Sequence, residues 1–163
     1  MSFWRIIKGI QLKQLISLVG FTLKHPFFMI ATARATKNTL KTVQQKFPDI
    51  HGKDNKANAF RHALWNYMIA FYSSKYESNK ELVSAWVKKI TDWHEEFSPN
   101  KGLARAMDFH NNYIGRMLFL KNEVLTEKEA IKELEKLLDK AVKVSSIEIM
   151  NKNKKSLVYI EDY

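Results

Sequence analysis

Apolar residues recur at three- and four-residue intervals along almost the whole chain, and the breaks between these runs fall at only a few points. That period lines up side chains along one face of an α-helix, not alternately on the two faces of a strand. Over residues 3–23 the run is Trp4, Ile6, Ile7, Ile10, Leu15, Ile16, Leu18, Val19, Phe21 and Leu23, with Arg5, Lys8 and Lys13 between them. Pro26 suits the first turn of a second helix, where a missing N–H costs nothing; this helix carries Phe27, Ile30, Ala31, Ala35, Leu40 and Val43, and Pro48 ends it. Residues 49–55 have loop composition, and Asp54 or Asn55 can cap the next helix. That third helix, about 56–76, shows one stripe of Phe60, Leu64, Tyr67 and Phe71 and another of Ala59, Ala63 and Ala70. A helix apolar on more than one side is central to its fold.

Two further helices are expected, one over 79–97 through Leu82, Trp86, Ile90, Trp93 and Phe97, and one over 102–119 through Leu103, Met107, Ile114 and Leu118. Ser98, Pro99 and Asn100 separate them. Thr126 followed by Glu129 is a capping box, and it opens a packing helix assigned to 126–150, with Ile131, Leu134, Leu137, Leu138 and Val142. Residues 156–160 have strand composition, but one strand makes no sheet. The fold class is therefore all-α, a compact bundle of five or six helices around the helix at about 56–76. A length of 163 residues suits one domain. Within it, 1–47 form basic amphipathic helices, 55–119 the motif-bearing core and 126–150 the packing helix.

The absence of cysteine excludes disulfides, thiolate metal sites and a cysteine nucleophile, which leaves oxygen and imidazole chemistry. The net charge of +10 is unevenly placed. Residues 1–50 hold eight Lys/Arg against the single acid Asp49, so 8 − 1 = +7 falls there. A local excess of this kind, interleaved with apolar residues, points to an anionic membrane surface as partner for residues 1–47. No uncharged run reaches the roughly 20 residues a spanning helix needs, and Lys13 interrupts the early apolar stretch, so a secretory leader is not indicated either. The expected location is cytoplasmic, peripheral to a membrane. Nucleic acid is disfavoured, because no strand-borne pattern of aromatic and basic residues supports it.

Three segments depart from the lysine-rich, aliphatic background: NAFRHALW at 58–65, DWHEEFSPN at 92–100 and MDFHNNYIGR at 107–116. At about 100° per residue, Asn58, Arg61, His62 and Trp65 share one stripe of the third helix, apart from the Phe60 stripe. His94 follows Ile90 and Thr91 by one turn, which turns it inward, with Glu95 a step around the helix. In the fifth helix Asp108, Asn111, Asn112 and Gly115 lie in one broad sector, whereas His110 points away from Asp108. Polar groups on helices this apolar need one another, since a buried unpaired group costs about 1–3 kcal/mol. The three motifs are therefore expected to converge on one site.

In this order the segments resemble a family of small helical bacterial domains of unknown function, found in Gram-negative environmental bacteria. Its members share the signatures Arg-His-x-x-Trp, His-Glu and Asn-Asn-x-x-Gly-Arg. The likeness covers about residues 55–116 and extends loosely to the lysine-rich N-terminus, while 120–163 carry no signature of it. The resemblance implies which residues to suspect and supplies no reaction.

Chemically, His62 or His94 suits a general base or metal ligand, and Glu95 a second acid–base group or ligand. Arg61 and Arg116 suit an anion, Asn111 and Asn112 can orient a substrate or water, and Asn58, Trp65 and Asp108 complete the substrate-binding set. These residues allow a divalent metal between helices, although the His-Glu-x-x-His spacing of zinc peptidases is absent because position 98 is Ser98. Two classes of function stay open. One is a hydrolase acting on a phosphate-bearing or envelope-derived, small or lipid-linked substrate. The other is a non-enzymatic membrane-peripheral or protein-binding module in which the same residues form a structural hydrogen-bond network.

Overall fold

A computed structural model describes residues 12–48, 54–98, 100–121 and 123–162. Along them run α1 (Leu12–Lys24), α2 (Pro26–Lys46), α3 (Lys56–Ser73), α4 (Lys80–Glu96), α5 (Gly102–Lys121), α6 (Glu127–Asp139), β1 (Val142–Lys143), α7 (Ile147–Lys152) and β2 (Val158–Tyr159). The fold is all-α, with seven helices among the described residues. The part of the first helix expected over 3–11, the loop at 49–53 and the break at Pro99 lie outside the described residues.

Short polar residues set the helix starts. The Asn55 side chain accepts from the Asn58 backbone N–H at 3.1 Å to open α3. Asn79 accepts from Leu82 N–H at 3.0 Å to open α4. Both halves of the Thr126–Glu129 capping box are formed at α6, and Pro26 occupies the first turn of α2. Each such cap satisfies donors that have no partner inside the helix, a contribution of about 1 kcal/mol.

α3 is the axis of the bundle. Phe60, Ala63, Leu64, Tyr67, Met68, Ile69 and Ala70 are all fully buried, and the helix packs most extensively against α5 and α2, then against α6 and α4. The small-residue stripe decides how close α5 comes. A Cβ built on Gly115 would stand 2.1 Å from the carbonyl oxygen of Ala63, so only glycine permits this approach. The polar stripes of the two helices are thereby brought within hydrogen-bond reach. α6 closes the other side through Ala130 and Leu134, both fully buried.

Two expectations need correction here. The packing helix assigned to 126–150 ends at Asp139, and the expectation of no sheet fails. Val142 and Val144 alternate with Lys143, a period of two that suits β-branched residues in a strand. Val142 N–H donates to Leu157 O at 2.9 Å and Val144 N–H to Tyr159 O at 2.8 Å, which makes β1 and β2 a short parallel pair. Ser146 then caps α7, its side chain accepting from Ile149 N–H.

Candidate functional site

The site lies where α3, α4 and α5 meet, and His62 is its centre. The imidazole is 4% exposed and has carboxylates on both sides. Its Nε2 stands 3.1 Å from Asp108 Oδ1 and 3.1 Å from Arg61 Nη2. Its Nδ1 stands 3.1 Å from Asn112 Oδ1 and 3.4 Å from Glu95 Oε1. Nδ1 thus faces two oxygens, and Nε2 faces a carboxylate oxygen and the Arg61 guanidinium.

Two amides extend this centre. Asn112 Nδ2 donates to Glu95 Oε1 at 3.0 Å, and its Oδ1 also accepts from Asn66 Nδ2 at 2.6 Å. Asn66 Nδ2 donates in addition to the His62 carbonyl at 3.0 Å. Asn66 Oδ1 accepts from Thr91 Oγ1 at 3.2 Å and Arg116 Nη1 at 2.9 Å. On the opposite flank Asp108 accepts from Asn58 Nδ2 at 3.4 Å and Asn100 Nδ2 at 2.8 Å. Paired in this way, polar groups of opposite sign can be buried at tolerable cost.

The two carboxylates are driven in opposite directions. Burial alone would raise Glu95, but the hydrogen bond and charge of His62, with His94 and the Asn112 amide, hold its pKa below the ordinary carboxylate value. At Asp108 burial prevails over His62 and Asn100, and with Glu95 adding repulsion the pKa is raised. Burial also lowers the Arg61 and Arg116 guanidinium pKa values; for Arg61 this outweighs Asp108, Glu95 and Asp54, for Arg116 it outweighs Asp92 and Tyr113. Both remain cationic, as arginine does in proteins.

Beside this network an open cleft of about 260 Å³ is lined by Thr36, Thr39, Leu40, Arg61, His62, Trp65 and His94. The Trp65 indole N–H donates to Thr36 Oγ1 at 2.9 Å, which ties α3 to α2. The His94 ring meets Trp65 edge-on, centroids 5.0 Å apart. Solvent reaches His94 through the cleft, yet protein surrounds the ring on its other sides. This desolvation, with the nearby His62 and Arg61, lowers its pKa below the ordinary histidine value against the pull of Glu95.

Several candidate residues stand elsewhere than the sequence suggested. Glu95, 1% exposed, is the inward residue of the His-Glu pair, and His94 is the one open to the cleft. Glu96 is exposed and takes no part. Asn111 stands away from the cleft wall. Fully buried, its Nδ2 donates to Val158 O at 2.9 Å and its Oδ1 accepts from Val158 N–H at 3.0 Å, fastening β2 to α5. Asn112, Asp108 and Arg116 face protein partners and not the cleft, so they support the site from behind. Asn58, 2% exposed, is likewise inside. His110 sits on Ser156 O at 2.9 Å, away from Asp108.

Asn66, Thr91, Thr36 and Thr39 were not among the sequence candidates. Asn66 lies one turn after His62 and Thr91 one turn before Glu95, so extending each motif by four residues finds both. Nothing in the sequence marks the threonines of α2, which come from a different helix. As for a metal, no group of three or more His, Asp and Glu among the described residues is placed to hold one. The donor set does not fit a bound cation, because both His62 nitrogens and both buried carboxylates already face protein groups.

Residues 19–142 match the family described as Domain of unknown function (DUF6973). No curated protein matches the chain, and no solved structure does. The chain belongs to the DUF6973 family, whose span contains α2 to α6 and the whole of the network and cleft.

Proposed function

We propose that this DUF6973 domain is a hydrolase whose cleft takes a phosphate-bearing, small or envelope-derived group, with His94 as general base and Arg61 as the anion-holding residue. The observation that carries the reading is the pairing of an open imidazole, kept neutral at neutral pH, with a guanidinium in the same cleft. A neutral imidazole has a free lone pair, which a base requires. The cleft falls just below the range of about 300–1,000 Å³ usual for ligand sites, so it suits one headgroup-sized fragment.

In this reading a water beside His94 gives its proton to the imidazole as its oxygen bonds to phosphorus. The ester P–O bond breaks, and the leaving oxygen takes the proton back from His94. Arg61 N–H groups offset the charge that gathers on the phosphoryl oxygens. His62, Glu95, Asp108 and Asn112 act as positioning residues, since Nε2 of His62 meets Arg61 and the rest hold His62.

The test is hydrolysis of p-nitrophenyl phosphate, bis-p-nitrophenyl phosphate and lipid-linked diphosphate by the purified chain. His94→Ala should lower kcat by about 10²–10⁴-fold, the usual worth of a general base, with the thermal melt unchanged. Because the base must be deprotonated and its pKa is lowered, the acid limb of the rate profile should fall below the ordinary histidine value of about 6.5. No turnover of any of the three, or activity that survives His94→Ala, overturns the assignment.

One observation favours the second reading, a non-enzymatic module. Asn66, Asn111, Asn112 and Arg116 spend their polar atoms on protein partners, which is how a structural network is built. Under that reading the cleft variants leave every property but stability untouched.

A further inference from the structure

α1 is fastened to the body by one side only. Phe21 meets Trp86 and Trp93 edge-on, each with ring centroids 6.0 Å away. At about 100° per residue, Leu12, Leu15, Ile16, Val19 and Leu23 fall within an arc of about 100° on the side opposite Phe21. All five are exposed, Leu12 and Leu23 at the two ends by 73% and 79%. Phe27 and Ile30 on the first turns of α2 are exposed as well, and Tyr76, also exposed, stacks on Phe27 at 5.3 Å. Monomeric soluble domains rarely leave so continuous an apolar stripe to water.

Charge says what this surface meets. Residues 1–48 contain eight Lys/Arg and no Asp or Glu. Lys13 and Lys24 lie together beyond one edge of the stripe on α1, and on α2 the exposed Arg34, Lys37 and Lys41 lie on the same outward side as Phe27 and Ile30. Long basic side chains beside an apolar stripe are the arrangement of an interfacial helix on anionic lipid: the stems lie along the acyl boundary and the charges reach the headgroups. A protein partner would need acidic patches matched to this outline, whereas a bilayer supplies both chemistries everywhere on its surface.

Geometry distinguishes lying on the membrane from crossing it. No single described helix is long and apolar enough to cross, and α1 and α2, which satisfy that criterion only as a pair, are bent by 119° where they join. We propose that α1, with the first turns of α2, is a peripheral docking surface for anionic bilayers, its stripe from Leu12 to Ile30 inserted at the headgroup boundary. Thr36 lies half a turn of α2 away from Phe27, so docking leaves the cleft open to water.

The test is flotation of the full chain with vesicles of phosphatidylcholine alone and of phosphatidylcholine mixed with phosphatidylglycerol, at low and high salt. Binding is expected to the mixed vesicles at low salt, and to fall steeply with salt. Ile16→Asp combined with Val19→Asp should reduce partitioning by at least about tenfold, and Lys13→Glu combined with Lys24→Glu by several-fold. The thermal melt should be unchanged in both, since neither pair packs on the body. Three results would overturn the proposal. One is absence of binding to either vesicle. Another is a dimer that Ile16→Asp dissociates, which would make a second copy the occupant. The third is a large loss of stability in the aspartate variant, which would mean that the chain covers the stripe itself.

Discussion

The seam between α3, α4 and α5 and the outer side of α1 invert the usual distribution of residues in opposite ways. The seam buries Asn66, Glu95, Asp108 and Asn112, each at most 1% exposed, while α1 leaves five large aliphatic side chains at the surface. The seam is explained within the chain, because almost every buried polar atom there has a partner on another helix. The α1 stripe is not, since nothing in the described chain covers it. Buried polarity with partners marks internal construction, and exposed apolarity without partners marks an outside contact.

The largest effect expected comes from one substitution made in both regions. Gly115→Ala places a Cβ against the Ala63 backbone, which has no freedom to yield, so α3 and α5 must separate and the whole seam with them. A loss of about 4 kcal/mol or more is expected, in the range that marks a core defect. Gly20→Ala in α1 meets nothing within 4 Å and should be neutral or gain up to about 1 kcal/mol in helix propensity. Thermal melts of the two variants make the comparison directly. Equal effects would mean that α1 is packed as tightly as α5.

A smaller loss, about 2–3 kcal/mol, is expected for Glu95→Gln, which keeps the shape of the side chain but removes a charge bonded to Asn112 and facing His62. The pH dependence has a definite sign. Because the folded pKa of Glu95 is lowered, its contribution is present above the unfolded value of about 4.3 and is lost as pH falls through the folded value. Asp108, raised in the fold, works the other way: its contribution is present at low pH and lost as pH rises through its folded value. Denaturant titrations of the parent chain and Glu95→Gln should therefore differ most at neutral pH and converge in acid. A constant gap at all pH values would mean that Glu95 contributes by shape alone.

Legibility in the sequence divides along the same line. The helices were legible because their apolar periods are long, and the starts of α3 and α6 are marked by Asn55 and by the Thr126–Glu129 box. Convergence of the motifs was legible too, since Asn58, Arg61, His62, Glu95, Asp108 and Asn112 had no cheaper way to be buried. Which of two adjacent residues faces inward was not: His94 and Glu95 differ by about 100° of rotation, and the periodicity of α4 alone does not fix which of them meets α5. The end of α6 was misjudged because Val142 fits the helical period as well as a strand. Only its pairing with Val158, with its N–H bonded to Leu157 O, resolves the ambiguity.

The smallest effect belongs to Thr39 on α2, a buried polar group that lacks the pairing seen in the seam. This residue is 1% exposed and lines the cleft, and its hydroxyl has no hydrogen-bond partner among the described residues. Its neighbour Thr36 accepts from Trp65, so the two threonines of one helix turn differ in kind. A buried hydroxyl without a partner costs about 1–3 kcal/mol, part of which a valine of nearly the same shape would recover. Thr39→Val is expected to stabilise the chain by up to about 1 kcal/mol, raising the melting temperature by roughly 2–4 °C for a domain of this size. If the cleft binds the phosphate-bearing group proposed for it, the same substitution removes a hydroxyl from a residue of the cleft wall, and KM should rise several-fold while kcat changes little. Gain in stability with loss of affinity is the mark of a residue kept for a ligand at the expense of the fold. A fall in melting temperature would instead count Thr39 with the paired residues of the seam.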